Sequence, residues 1–174
     1  MTKPLLTQER VLALFEYRDG ILIWKPRPLS DFVSVRGYRI WNTKFAGKVA
    51  GSRKAVYAVV GIDTVNYSQH RVIFLLHHGY LPEFLDHIDH DCKNNRVENL
   101  RPVNKSQNNM NRPVQKNSPS GHKNVHWNKQ HGKWMVRVQK DAAVVFGGLF
   151  SSVEAAAERA AQLRGQIHEQ FARG

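Results

Sequence analysis

The chain has 174 residues, 41% of them hydrophobic and 23% charged, enough to bury a core in one domain or two small ones and too few for a large multidomain assembly. Lysine and arginine number 26 against 14 aspartates and glutamates, a formal charge of +12 that points to a polyanionic partner. The single cysteine, Cys92, excludes an internal disulfide and a multi-cysteine zinc site, which fits a reducing intracellular setting, and no apolar run approaches the ~18 residues of a membrane span.

At the N-terminus, charges at Glu9, Arg10 and Glu16 interrupt the apolar pattern that a signal peptide needs. Thr7 reads as an N-cap and predicts a helix over 8–17. Arg18-Asp19-Gly20 is a turn before the strand Ile21–Trp24, and Lys25–Ser30 is a loop. Gly37–Trp41 and Val56–Val60 read as further strands, separated by a turn at Gly47–Gly51. The mostly apolar run His70–Gly79, ended by glycine and then Pro82, predicts a buried helix. Leu85–Asp89 is a short strand or a tight hairpin, Lys93–Arg96 an asparagine-rich turn, and a polar helix is predicted from Val97. Asn104–Gly121 is almost free of apolar residues and reads as the end of that helix running into a linker. Beyond it, Val125–Trp127, Lys133–Gln139 and Ala143–Phe150 predict three strands, with turns at His131-Gly132 and Asp141. Ser151 or Ser152 then caps an alanine-rich helix from Val153 to Phe171.

Charge is basic on both sides of Gln115, with 17 basic against 10 acidic residues up to that point and 9 against 4 after it. One island breaks the trend. From Glu83 to Glu98 five carboxylates (Glu83, Asp86, Asp89, Asp91, Glu98) stand beside His87 and His90, with Lys93 and Arg96 as the only cations. Such a cluster suits a hard divalent cation beside a phosphate, and equally a solvated acidic loop.

Tyr67–Asn111 orders these residues in a recognisable way: His70-Arg71, Gly79 and Pro82, Asp86-His87-Ile88-Asp89, Asn94-Asn95, Asn99-Leu100-Arg101, then Asn108 and Asn111. The segment resembles the HNH endonuclease family in the form carried by phage and intron-encoded homing nucleases. The resemblance implies a ββα-metal fold holding one Mg²⁺ or Mn²⁺, action on double-stranded DNA, and a setting inside a phage-infected bacterial cell. It assigns Asp86 and Asn108 as metal ligands, His87 as general base and Asn99 as a catalytic-site residue that bridges the loop and holds the His87 backbone or ring. His87 also fits by itself, because an imidazole takes a proton from water near neutral pH. In an extended segment Asp86 and His87 point to opposite sides, so a bend is needed to bring both to one site. Arg71 and Arg101 are candidate phosphate contacts. Asn94, Asn95 and Asn99 are also ordinary turn and cap residues. His90 stands where the family usually has glycine; if that position needs left-handed backbone, histidine suits it less well than glycine. Cys92, His87 and His90 lack a fourth ligand for structural zinc.

Between Lys116 and Lys140 six basic residues and no acidic one are interleaved with Trp127 and Trp134. Alternation puts Lys133, Met135 and Arg137 on one face and Trp134, Val136 and Val138 on the other. Together with Gly121–Trp127, Gly132-Lys133-Trp134, Gly148-Leu149-Phe150 and Ala155-Ala156-Ala157, this region resembles an AP2-type DNA-binding domain. The resemblance implies a three-stranded antiparallel sheet on a helix, with Lys123, Trp127, Lys129, Lys133 and Arg137 meeting DNA. The whole is therefore expected to be α+β, with a nuclease domain over 1–112, a linker over 113–120 and a DNA-binding domain over 121–174. The expected activity is metal-dependent nicking of duplex DNA by a monomer or weak dimer. The competing reading is a DNA-binding regulator without catalysis.

Overall fold

Residues 6–52, 57–111, 114, 117–140 and 143–168 are described in the computed structural model, which divides into units Met1–Val103 and Asn104–Gly174. Helix α1 (Gln8–Leu14) opens the first unit, its N-cap Thr7 accepting a hydrogen bond from the Arg10 amide. The helix ends at Leu14 and does not run on to residue 17. Phe15–Arg18 (β1) pairs instead with Ile21–Trp24 (β2) across Asp19 and Gly20, both at left-handed φ (45° and 81°), and the two-residue turn draws the preceding residues into strand.

Residues 37–41, predicted as a strand, lie within helix α2 (Val35–Phe45). The Ser34 side chain caps it by accepting from the Gly37 amide. Tyr38, Trp41 and Phe45 recur at helical spacing, and Trp41 meets Trp24 and Phe32. That aromatic period outweighs the β-propensity of the same residues. The next strand begins at Val59, leaving Tyr57 and Ala58 ahead of it, and Val56 lies outside the described residues. Its register is fixed by a tight turn at Asp63 and Thr64 (φ 46° and 70°) that joins β3 (Val59–Ile62) to β4 (Val65–Ser68).

Helix α3 (Gln69–His78) is buried through Val72–Leu75 and closed by Gly79 at φ 76°, as its sequence predicts. Strand β5 (Phe84–His87) follows. The polar helix predicted from Val97 is a single 3-10 turn, Val97–Asn99, that leads into β6 (Leu100–Val103). The physical reason is Pro102. It would break a helix, but in a two-stranded sheet, which has only edges, its missing N–H is harmless. β5 and β6 run antiparallel, with Asp86 opposite Arg101 and His87 opposite Leu100. The core of this unit gathers Val11, Leu14, Phe15, Leu22, Ile73 and Phe74 from α1, the first hairpin and α3.

The second unit starts with helix α4 (Lys105–Met110), stopped at its front by a capping box between Asn104 and Gln107. Of the predicted linker, Pro113, Gln115 and Lys116 lie outside the described residues, as does Arg112 before it. Strands β7 (Val125–Asn128), β8 (Lys133–Lys140) and β9 (Ala143–Phe150) form one antiparallel sheet in that order, with a bulge between Val136 and Arg137. Helix α5 (Val153–His168) packs Ala156, Ala160 and Leu163 on Val125, Val136 and Val138; its predicted end at Phe171 is outside the described residues. Gly147 permits this approach, since a Cβ there would lie 2.5 Å from Val136 Cγ1 and 2.7 Å from Leu163 Cδ1. The fold is mixed α and β with small antiparallel sheets. Among the described residues no helix is long and apolar enough to cross a membrane.

Candidate active site and nucleic-acid interface

The β5/β6 hairpin carries Asp86, His87, Asn99 and Arg101 together. His87, the last residue of β5, is buried, and its Nε2 lies 3.0 Å from Oδ1 of Asn95. An amide oxygen only accepts, so this bond places the proton on Nε2 and leaves the lone pair on Nδ1. Two rings flank the imidazole. Tyr57 stacks at 6.3 Å between centroids, and His70 meets it edge-on at 5.1 Å. Burial, with the charges of His87 and Arg71, pushes His70 down to about 4, so it is a neutral wall at physiological pH. Burial and a hydrogen bond with the Cys92 side chain push the Tyr57 hydroxyl up, which keeps it protonated.

The loop between the two strands is held by Asn99, which is itself buried. Its Oδ1 accepts from the Asp89 amide at 3.0 Å, and its Nδ2 donates to Asp89 Oδ1 at 2.9 Å and to the Asn94 carbonyl at 2.8 Å. Burial pushes the Asp89 carboxyl up, but the bonds from Asn94, Asn99 and the Asp91 amide outweigh it and hold the group below the usual carboxylate range. Asn99 touches the His87 strand only through the backbone, its carbonyl accepting from the Ile88 amide at 2.9 Å. The ring partner is Asn95. His90 takes the left-handed φ of 64° that the loop demands. From the other side, Gly20 sits where a Cβ would be 2.8 Å from the Arg96 nitrogen and 2.9 Å from the Asn95 carbonyl carbon. The Tyr17 hydroxyl accepts from the Val97 amide at 3.1 Å.

Asp86 and Arg101 form an ion pair at 3.1 Å, both largely shielded from water. Arg71 donates to the carbonyls of Pro82 and Glu83, just ahead of β5. Both arginines predicted as phosphate contacts therefore already hold protein groups. Asn108 lies on α4, in the other unit from Asp86 and His87. Among the described residues no group of three or more His, Cys, Asp or Glu side chains is placed to hold a metal ion. The donors that the family resemblance implies are one carboxylate, Asp86, and one amide oxygen, Asn108. Both are hard oxygens, which fits a cation such as Mg²⁺ that keeps several waters and leans on few protein ligands.

In the second unit, Lys129, Lys133 and Arg137 are exposed as predicted. Lys133 and Arg137 share the open face of the sheet with His126 and Met135. A shallow cavity of about 380 Å³ runs over this face, lined by His126, Met135, Arg137 and Gln139. Trp127 belongs to the other face. It is paired in register with Trp134, their rings 5.0 Å apart, on the side that α5 covers, although Trp127 remains half exposed at the sheet edge. The Lys123 ammonium donates to the Met110 carbonyl.

Residues 67–110, from β4 through α4, match the HNH endonuclease family. The protein is similar to the HNH endonucleases over those residues. It is an enzyme, a nuclease. No curated protein and no solved structure matches the chain. Two neighbours of the His87 ring lack that role in the sequence reading: Asn95, named there only within an asparagine pair, and Tyr57, read only as part of a strand. Nothing in residue type separates Asn95 from its neighbour Asn94, and Tyr57 comes from a distant segment with no motif of its own.

Proposed function

We propose that this nuclease is a divalent-metal-dependent endonuclease that nicks duplex DNA, of the site-specific homing type, with His87 as its general base. The observation that carries the reading is the imidazole of His87, fixed by Asn95 with its lone pair on Nδ1, at the end of the strand that also carries Asp86. His87 Nδ1 takes a proton from a water whose oxygen attacks phosphorus, and the P–O3′ bond breaks as the 3′ oxygen leaves. Asp86 and Asn108 would hold the divalent ion, which would supply positive charge to the phosphate and the departing oxygen. Asn99 holds the loop that carries Asn95 and so acts at one remove from the reacting atoms. Arg101 balances the charge of Asp86 until the cation arrives.

The second unit reads as the DNA-recognition part, of AP2-like type. Its open sheet face offers Lys133 and Arg137, with Lys129 in the adjoining turn, and no carboxylate lies between Lys116 and Lys140. A two- or three-stranded ribbon of this kind fits the DNA major groove, whereas the major groove of RNA is too narrow to read. Trp127 and Lys123 contribute at the edge of that surface, not from its middle.

Supercoiled plasmid incubated with the protein and Mg²⁺ tests the reading. Open-circular product that appears first and is blocked by EDTA is the expected result. No cleavage with intact duplex binding would leave the DNA-binding regulator as the function, and cleavage unaffected by EDTA would remove the metal from the mechanism.

A further inference from the structure

Helix α2 has rings on its inner side and cations on its outer side. Tyr38, Trp41 and Phe45 face inward, whereas Val35, Arg36, Arg39, Ile40, Thr43 and Lys44 are exposed and recur at the spacing of a single helical stripe. None of the eleven residues is buried, so the stripe owes nothing to the hydrophobic core. Nor is there any counter-charge in the neighbouring sequence. From Phe32 to Ile62 the chain has six basic residues and no aspartate or glutamate.

The arginines of the first unit sharpen the contrast. Arg10 and Arg27 bond Asp31, Arg18 bonds Glu16, Arg96 pairs with Asp19 and Arg101 with Asp86, while Arg71 donates to two carbonyls. Among the described arginines of this unit, only Arg36 and Arg39 have side chains with no ion pair or hydrogen bond. Two guanidinium groups left unpaired three residues apart, in a unit whose other described arginines all have partners, mark a surface built for an anion from outside.

The helix is also held still. Arg27 lies between the rings of Phe32 and Trp41, at 5.0 and 5.1 Å from their centroids. The Asn42 side chain bonds both the amide and the carbonyl of Arg27 at 2.9 and 3.0 Å, and Trp41 packs edge-on to Trp24. The outer cations therefore keep a fixed spacing, which spares a ligand the cost of ordering the helix.

We infer that α2 is a second duplex-DNA contact, in which Arg36, Arg39 and Lys44 neutralise phosphates without reading bases; this rests on duplex DNA being the substrate. A helix of about 10–12 Å diameter matches the width of the DNA major groove, whose walls are phosphates. An anionic membrane is the other surface that a basic helix can meet, but here the ring-bearing side that would enter lipid is turned into the protein.

Fluorescence anisotropy with a labelled duplex in EDTA tests the inference on the full chain. Each phosphate contact adds about 0.9 to the slope of log affinity against log salt, so the triple variant Arg36→Gln, Arg39→Gln, Lys44→Gln should lower the slope by about 2.7, roughly a fortyfold smaller loss between 50 and 200 mM salt. Each single variant should lower it by about one contact's share, and the pair Arg36→Lys, Arg39→Lys should keep the wild-type slope. Arg18→Gln, which removes one charge already paired to Glu16, should leave the slope unchanged. A wild-type protein that binds duplex while the folded triple variant keeps the full slope overturns the α2 contact and leaves the function standing. Wild-type protein with no duplex affinity at 50 mM salt overturns both. Unchanged DNA binding together with lost binding to phosphatidylserine vesicles would reassign the helix to a membrane surface.

Discussion

Oδ1 of Asn95 stands 3.0 Å from Nε2 of His87 and thereby decides which imidazole nitrogen is basic. Asn95→Ala should lower kcat by roughly 10- to 100-fold, the usual worth of a partner that orients a working imidazole, with KM for duplex little changed. Asn95→Asp, which also accepts a hydrogen bond, should recover much of the loss. If both variants cut at the wild-type rate, the ring is held by something else.

His87→Ala should abolish cleavage, a loss on the order of 10²–10⁴, because the proton transfer is needed only in the transition state. Duplex affinity should stay within roughly threefold, since the buried ring makes no phosphate contact. A loss of binding large enough to account for the loss of cutting would remove His87 from the role of base.

Asp86 faces Arg101 across the β5/β6 pair, so on the proposed reading a metal ion and the guanidinium would compete for one carboxylate. Asp86→Ala should be inactive at every Mg²⁺ concentration. Arg101→Gln should lower the Mg²⁺ concentration needed for half-maximal cleavage. A titration curve identical to wild type for Arg101→Gln would mean that the ion does not use Asp86.

His70 titrates at about 4 in the fold, below the ~6.5 of an unfolded chain. Between those values the unfolded state holds more protons, so His70's contribution to stability is complete above about pH 6.5 and is lost as pH falls towards 4. The unfolding temperature should therefore drop from pH 7 to pH 5, and His70→Gln should drop less over the same interval. Parallel slopes for the two proteins would contradict this.

A fragment from Asn104 to Gly174 contains the whole second hydrophobic cluster and should fold and bind duplex DNA without cutting it. Arg137→Glu should weaken that binding and flatten its salt dependence by about two contacts' worth of charge. A folded fragment, by circular dichroism, with no duplex affinity at low salt would leave recognition to the first unit.

What the sequence makes legible is local. Helix α3 announces itself by an unbroken apolar run and a terminal glycine, and the β7–β9 sheet by alternation around turn residues. Asp86-His87 is read from adjacent letters. Helix α2 is hidden because Tyr38, Ile40 and Trp41 favour strands, and the helical period of Tyr38 and Trp41 matters only once Phe32 and Trp24 are opposite them. Strand β6 is hidden because Leu-Arg-Pro-Val gains its meaning from β5 across a long loop. The bond between Asn95 and His87 is further still from view, since it depends on how that loop closes.

The first hairpin leans on that closure. Gly20 abuts the backbone of Asn95 and Arg96, Tyr17 takes the Val97 amide, and Asp19 pairs with Arg96 at 3.8 Å. The stretch that matches a nuclease family begins only at residue 67, yet the clamp on its imidazole is braced from residues 17–20. The catalytic signature is thus not portable by itself. A graft of 67–110 into a foreign scaffold would carry every letter of the motif and leave its brace behind.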